Sequence, residues 1–152
     1  MPLVPDTTSV ERVVAAPPSA VFALLADPSR HREFDGSGTL RAALGGSRRL
    51  AKGDTFTMSM RAGVPYTMVN EVVELEPDRL IAWQPRPVQS WARPFIGGRI
   101  WRYELTPVEG GTLVRETWDI SQEAIPLLVS PLRSTTRRNM TKTLERLEKV
   151  VA

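Results

Sequence analysis

The sequence contains no cysteine and a single histidine, His31. The lack of cysteine excludes disulfides, thiolate catalysis and cysteine-based zinc sites. Carboxylates are then left as the main metal ligands, and no EF-hand or His-x-x-Glu-type spacing arranges them, so no metal or other cofactor is expected. There is no Gly-x-Gly-x-x-Gly and no phosphate loop. No apolar run reaches the ~20 residues that span a bilayer. The opening Met1-Pro2-Leu3-Val4-Pro5-Asp6 lacks the basic region and apolar core of a signal peptide. These absences predict a cytoplasmic protein without stable membrane insertion. Charge of one sign is also scarce in excess: 20 Lys and Arg face 17 Asp and Glu, a net charge of +3. With no aromatic or Gly-rich nucleic-acid motif beside its cations, the chain is not expected to bind nucleic acid.

What is present is an ordinary globular composition, 41% hydrophobic and 24% charged over 152 residues. That length predicts a single domain over 1–152 with a core large enough to need no staples. Thr7 to Val14 alternates polar and apolar residues, as a first strand does, and Pro17-Pro18-Ser19 stops it. A helix with Pro18 in its first turn buries Val21, Phe22, Leu24 and Leu25 before Asp27-Pro28 ends it. Pro28 to Phe34 fits a second short helix. Asp35-Gly36-Ser37-Gly38 and Gly45-Gly46-Ser47 are turn-rich.

The period then becomes two. Phe56, Met58 and Met60 alternate with Thr55, Thr57, Ser59 and Arg61, and Tyr66 to Leu75 reads as another strand. Glu76-Pro77-Asp78-Arg79 turns the chain into Leu80-Ile81-Ala82-Trp83. Trp101, Tyr103 and Leu105 form one face of a further strand; Glu109-Gly110-Gly111-Thr112 reverses it, and Val114, Trp118 and Ile120 share a face on the return. Hairpin-linked strands imply an antiparallel sheet. Pro85 to Gly98 reads as the longest loop. Finally, Ser130 as N-cap and Pro131 as first residue predict a helix running to Val151, with Met140, Leu144, Leu147 and Val151 on one stripe and Arg138, Lys142, Arg146 and Lys149 opposite.

The words Ala15-Ala16-Pro17-Pro18-Ser19-Ala20-Val21-Phe22-Ala23-Leu24-Leu25-Ala26-Asp27-Pro28, Arg79-Leu80-Ile81-Ala82-Trp83, Trp101-Arg102-Tyr103-Glu104-Leu105 with Gly110-Gly111-Thr112, and Met140 to Leu147, taken in order, resemble the SRPBCC superfamily. This superfamily is also called START-like or birch-pollen-allergen-like, and the likeness is to its bacterial polyketide cyclase/dehydrase branch. The resemblance implies an α+β helix-grip fold: a curved antiparallel sheet of about six or seven strands round a long C-terminal helix, with two short helices after the first strand. It also implies lipid or polyketide binding, cyclase activity or a dioxygenase-subunit role, and one histidine without cysteine disfavours the last of these.

A strongly bent sheet cannot collapse everywhere onto one helix, so an apolar space between them is the expected binding site. Phe56, Met58, Met60, Tyr66, Met68, Trp83, Trp101, Tyr103, Trp118, Leu128, Leu132 and Met140 are its candidate lining, or else simply core. Glu116 shares the face of Val114 and Trp118. It is the candidate catalytic residue, a carboxyl with raised pKa in an apolar cavity, unless it lies at a solvated strand end. Arg133 and Arg137, one turn apart, either select an anionic head group at the cavity mouth or snorkel to water. His31, in Ser29-Arg30-His31-Arg32-Glu33, reads as a solvated loop residue.

Two functions fit. One is a binding module that carries or senses a hydrophobic small molecule, as a monomer or homodimer. The alternative is a polyketide aromatase/cyclase in which Glu116, Tyr66 or Arg137 assists proton transfer. Polar groups converging deep in the pocket would distinguish the second from the first.

Overall fold

Polar–apolar alternation lets each strand bury one face, and seven strands use it to build a single sheet against one long helix. The computed structural model describes residues 6–88, 98–123 and 125–152. Its strands are β1 (Thr7–Val14), β2 (Leu40–Leu44), β3 (Thr55–Ala62), β4 (Val64–Glu76), β5 (Leu80–Pro87), β6 (Ile100–Val108) and β7 (Gly111–Asp119). They pair antiparallel throughout in the order β1-β7-β6-β5-β4-β3-β2. Strands β2 to β7 form a meander, and β1 returns to close its β7 edge with Thr7 opposite Asp119 and Val14 opposite Thr112.

Register slips between Val72 and Glu74 of β4, and between Leu40 and Ala42 of β2, interrupt the ladder. Such bulges bend a strand and increase its twist, which curves the sheet around the helix. The turn after β4 closes with Asp78 at φ 63°, a left-handed conformation that Asp tolerates. Strand β2 has no counterpart among the elements expected from the sequence. It is only five residues long and none of its side chains is fully buried, so it carries little alternation to read.

Helix α1 (Pro18–Leu25) starts on Pro18 as expected and buries Val21, Phe22, Leu24 and Leu25. A 3-10 turn (Pro28–Arg30) leads into α2 (His31–Phe34). After the sheet come α3 (Pro126–Val129), a 3-10 turn (Ser130–Leu132) and α4 (Arg133–Val151). Ser130 does not cap the long helix. Its backbone is already helical, at φ −57° and ψ −33°, whereas an N-cap needs extended backbone to turn its side chain onto the next amides. Helix α4 begins three residues later without a side-chain cap.

Helix α4 buries Met140, Thr143, Leu144 and Leu147 and exposes Arg138, Lys142, Arg146 and Lys149. Burial of each leucine contributes about 1.5–3 kcal/mol, which outweighs the missing cap. Gly36, just after α2, lies so close to α4 that a Cβ there would stand 2.4 Å from the Asn139 carbonyl oxygen. Its amide donates to Thr143 Oγ1 at 2.9 Å, which fixes α2 against the helix. At the other end Arg12 of β1 forks onto Glu148, at 2.9 and 3.0 Å. Pro85, Arg86 and Pro87, expected in a loop, belong to β5. The rest of that expected loop from 89 to 97, and the opening segment 1–5, lie outside the described residues.

Candidate functional site

Antiparallel register places the side chains of the sheet's inner face in rows. Ile81, Tyr103, Glu116 and Val10 stand opposite one another across β5, β6, β7 and β1; the adjacent row is Trp83, Trp101, Trp118 and Thr8. Helix α4 covers these rows, with Leu144 and Leu147 in one apolar cluster with Tyr103 and Trp83, and Met140 in another with Trp118. The rings of Phe56, Trp83 and Tyr103 continue across the sheet with centroids 5.8 and 5.4 Å apart.

Glu116 brings a carboxyl group into this largely apolar surface. It is 2% exposed, so the alternative of a solvated strand end does not hold. Its Oε2 accepts a 2.8 Å hydrogen bond from the Tyr103 hydroxyl, and its Oε1 is buried without a partner. Burial pushes the carboxyl pKa up to about 8; the Tyr103 bond pulls it back in part, and the negative charge of Asp35 adds to the rise. Burial, together with the Glu116 charge, raises the Tyr103 phenol well above its usual range. Both groups are therefore mainly neutral at pH 7. In a neutral carboxyl the carbonyl oxygen is the better acceptor, so Tyr103 marks Oε2 as that oxygen and leaves the proton on Oε1. Two residues along β7, the Trp118 indole Nε1 is likewise buried without a partner. Each unmade hydrogen bond of this kind costs about 1–3 kcal/mol.

His31 corrects the sequence reading: it is a buried residue rather than a solvated one. Its Nε2–H donates to the Leu25 carbonyl oxygen at 2.7 Å, and its ring stacks on Trp83 with centroids 4.7 Å apart and planes at 25°. Phe56 and Phe34 approach it from two other sides, at 5.4 and 5.3 Å. Burial drives its pKa down to about 4, so at neutral pH it is an uncharged member of the aromatic core. The His31-Phe34 spacing of three, on one helical face, was the available signal for this placement.

The remaining candidates divide. Phe56, Met58, Trp83, Tyr103, Trp118 and Met140 are buried on the inner side, and Met60, Tyr66, Met68 and Trp101 are half-buried. Leu128 and Leu132, expected in the lining, are about half exposed, because α3 and the turn before α4 run along the surface. Arg133 and Arg137 do not act as a pair. Arg133 donates to the Thr8 hydroxyl and to the Thr7 carbonyl oxygen, and its guanidinium lies 5.6 Å over the Trp118 ring. Arg137 is exposed and lines an open groove of about 560 Å³ on the outer side of α4 with Ser134, Arg138, Thr141, Lys142 and Glu145. The physical cause is the 100° step per residue: four positions rotate the side chain by a further 40°, enough to carry Arg137 past the sheet edge. Among the described residues, no three His, Asp or Glu side chains converge as a metal site would require.

A bent antiparallel sheet gripping a long C-terminal helix, with two short helices after the first strand and an aromatic inner face, defines the helix-grip class. The chain belongs to the polyketide cyclase/dehydrase and lipid transport family, which it matches over residues 6–152, within the SRPBCC superfamily. An uncharacterized protein of Mycobacterium tuberculosis is 37% identical over 117 residues, covering 76% of this chain and 48% of that protein. The chain thus spans about half the length of the curated relatives it matches. A crystal structure from Chromobacterium violaceum superposes with a TM-score of 0.71 at 18% identity over 96% of each chain. A solution structure from Arthrobacter aurescens gives 0.72 at 13% identity, covering 96% of this chain and 86% of that one. At such identities the likeness is one of fold. No helix among the described residues is long and apolar enough to cross a membrane.

Proposed function

We propose that residues 1–152 act as one cytoplasmic domain that binds a hydrophobic, lipid- or polyketide-like small molecule between the inner face of the sheet and α4. The observation that carries this reading is the unpartnered Glu116 carboxyl oxygen within an aromatic surface. A domain selected for stability alone gains nothing from a half-satisfied buried acid, because a hydrophobic residue of the same volume removes the desolvation penalty. The family's association with lipid transport supports the same reading. Titration of the protein with an apolar fluorescent probe, followed through tryptophan emission, is expected to saturate at one site, and native mass spectrometry of freshly purified protein to retain a small apolar compound. Absence of both retained compound and saturable binding refutes the reading.

The Glu116–Tyr103 pair favours a second reading, an aromatase/cyclase acting on a flexible poly-β-ketone. A carboxyl poised near neutral pH exchanges protons efficiently, and the aromatic face would fold the chain. In that case Glu116→Gln lowers turnover far more than ligand affinity. Equal loss of both assigns Glu116 to shaping the pocket.

A further inference from the structure

If the inner face takes a hydrophobic ligand, two atoms decide which polar group that ligand presents. We infer that Glu116 and Trp118 form a paired hydrogen-bond donor site for a neutral carbonyl oxygen, so that the ligand is a ketone or ester rather than a carboxylate or a plain hydrocarbon. This inference rests on the ligand-binding reading above and deepens it.

Residues two apart on a strand point to the same face, and the rise of about 3.4 Å per residue puts their Cα atoms about 7 Å apart. Glu116 and Trp118 are related in this way on β7 and are 2% and 1% exposed. Among the described residues of this face, Glu116 Oε1 and Trp118 Nε1 are buried without a partner. An indole N–H only donates. Glu116 Oε2 already accepts from Tyr103, so the free Oε1 carries the proton of the neutral acid and donates as well. Two donors on one face, two residues apart on β7, offer one hydrogen bond to each lone pair of a carbonyl oxygen lying between them.

The described surroundings disfavour the other head groups. Glu116 is faced by Tyr103 from β6, by Val10 from β1 and, more distantly, by the charge of Asp35 from the turn after α2. Helix α4 contributes buried Met140, Thr143, Leu144 and Leu147, which do not titrate. Arg133, which reaches this face, is engaged by Thr8, Thr7 and the ring face of Trp118. A carboxylate brought to Glu116 would lose its hydration and add a second negative charge to that of Asp35, whereas a hydrocarbon would leave both donors unmade.

The test uses three chain-matched probes, 2-undecanone, undecane and undecanoate, in competition with a bound apolar fluorophore. At pH 7 the ketone is expected to bind about tenfold more tightly than the other two, the factor carried by one well-made buried hydrogen bond. Trp118→Phe and Glu116→Met should each reduce that advantage several-fold, read as the ratio of ketone to undecane affinity within the same variant. Glu116→Gln, whose amide N–H still donates, should preserve it. At pH 9 the ionised wild-type carboxyl should lose the ketone preference while Glu116→Gln retains it, a comparison that does not depend on the less conservative variants folding. Equal binding of ketone and undecane, tightest binding of undecanoate, or a preference indifferent to Trp118→Phe overturns the inference and leaves the ligand-binding reading intact. Failure of every probe and of the fluorophore to bind removes both.

Discussion

Glu116 makes a prediction about stability that requires no ligand. In the folded chain its carboxyl titrates near pH 8, against an ordinary value of 4.5. Between these values the native state holds a proton that the unfolded state has released. Stability is therefore fully present below pH 4.5 and falls as pH rises toward 8, by about 1.4 kcal/mol per pH unit for one proton. His31 acts in the opposite sense over part of this range: its folded value near 4 against an ordinary 6.5 adds stability as pH rises from 4 to 6.5. The two effects largely cancel between pH 4.5 and 6.5, which leaves the Glu116 term isolated from 6.5 to 8. Across that window it amounts to about 2 kcal/mol, or a fall of roughly 4–8 °C in Tm for a chain of this size. Glu116→Gln keeps an acceptor for the Tyr103 hydroxyl and cannot ionise. Urea unfolding of both proteins at pH 6.5, 7, 8 and 9, at constant ionic strength, should show the wild type losing that increment relative to the variant. The offset between them at pH 6.5 is immaterial, because only the divergence reports the proton. Parallel profiles from pH 6.5 to 9 would refute the reasoning and mean that Glu116 ionises in the fold without penalty.

His31→Gln, which can still donate to the Leu25 carbonyl, removes the acid-side titration; its stability relative to wild type should rise by about 2–3 kcal/mol between pH 6.5 and 4.5, measured by denaturant unfolding at both values. Gly36→Ala forces a Cβ to 2.4 Å from Asn139 O and 2.6 Å from the Thr143 amide, so α2 must move off α4. A loss of about 1–3 kcal/mol or more is expected in thermal unfolding, and an unchanged Tm would contradict the close approach.

The sequence by itself determined what depends on near neighbours in the chain. Period-two runs around Phe56, Tyr103 and Val114, the turns Glu76-Pro77-Asp78-Arg79 and Glu109-Gly110-Gly111-Thr112, and the Met140, Leu144, Leu147 stripe specify antiparallel hairpins and one amphipathic helix, because strand pleat and helix pitch are local geometry. The order of those elements, read with the resemblance of their sequence words to the SRPBCC superfamily, sufficed for the helix-grip fold. Placing Glu116 on the face of Trp118 was legible for the same reason.

Tertiary structure decided whatever required a partner distant in sequence. Tyr103 meets Glu116 because β6 and β7 pair in one register, and a slip by one residue would turn the carboxyl to the other face. His31 sits in a polar stretch of sequence, yet Trp83 and Phe56, from strands far along the chain, close over its ring. Ser130 lost its capping role to the 3-10 turn that steers the chain onto α4. Arg133 and Arg137, only about 40° apart on a helical projection, were separated because the β1 edge falls between them: Thr8 engages one, and the other stays in solvent. Local periodicity fixes the direction in which a side chain leaves its own backbone, but what it meets there is set by the packing of other elements against it.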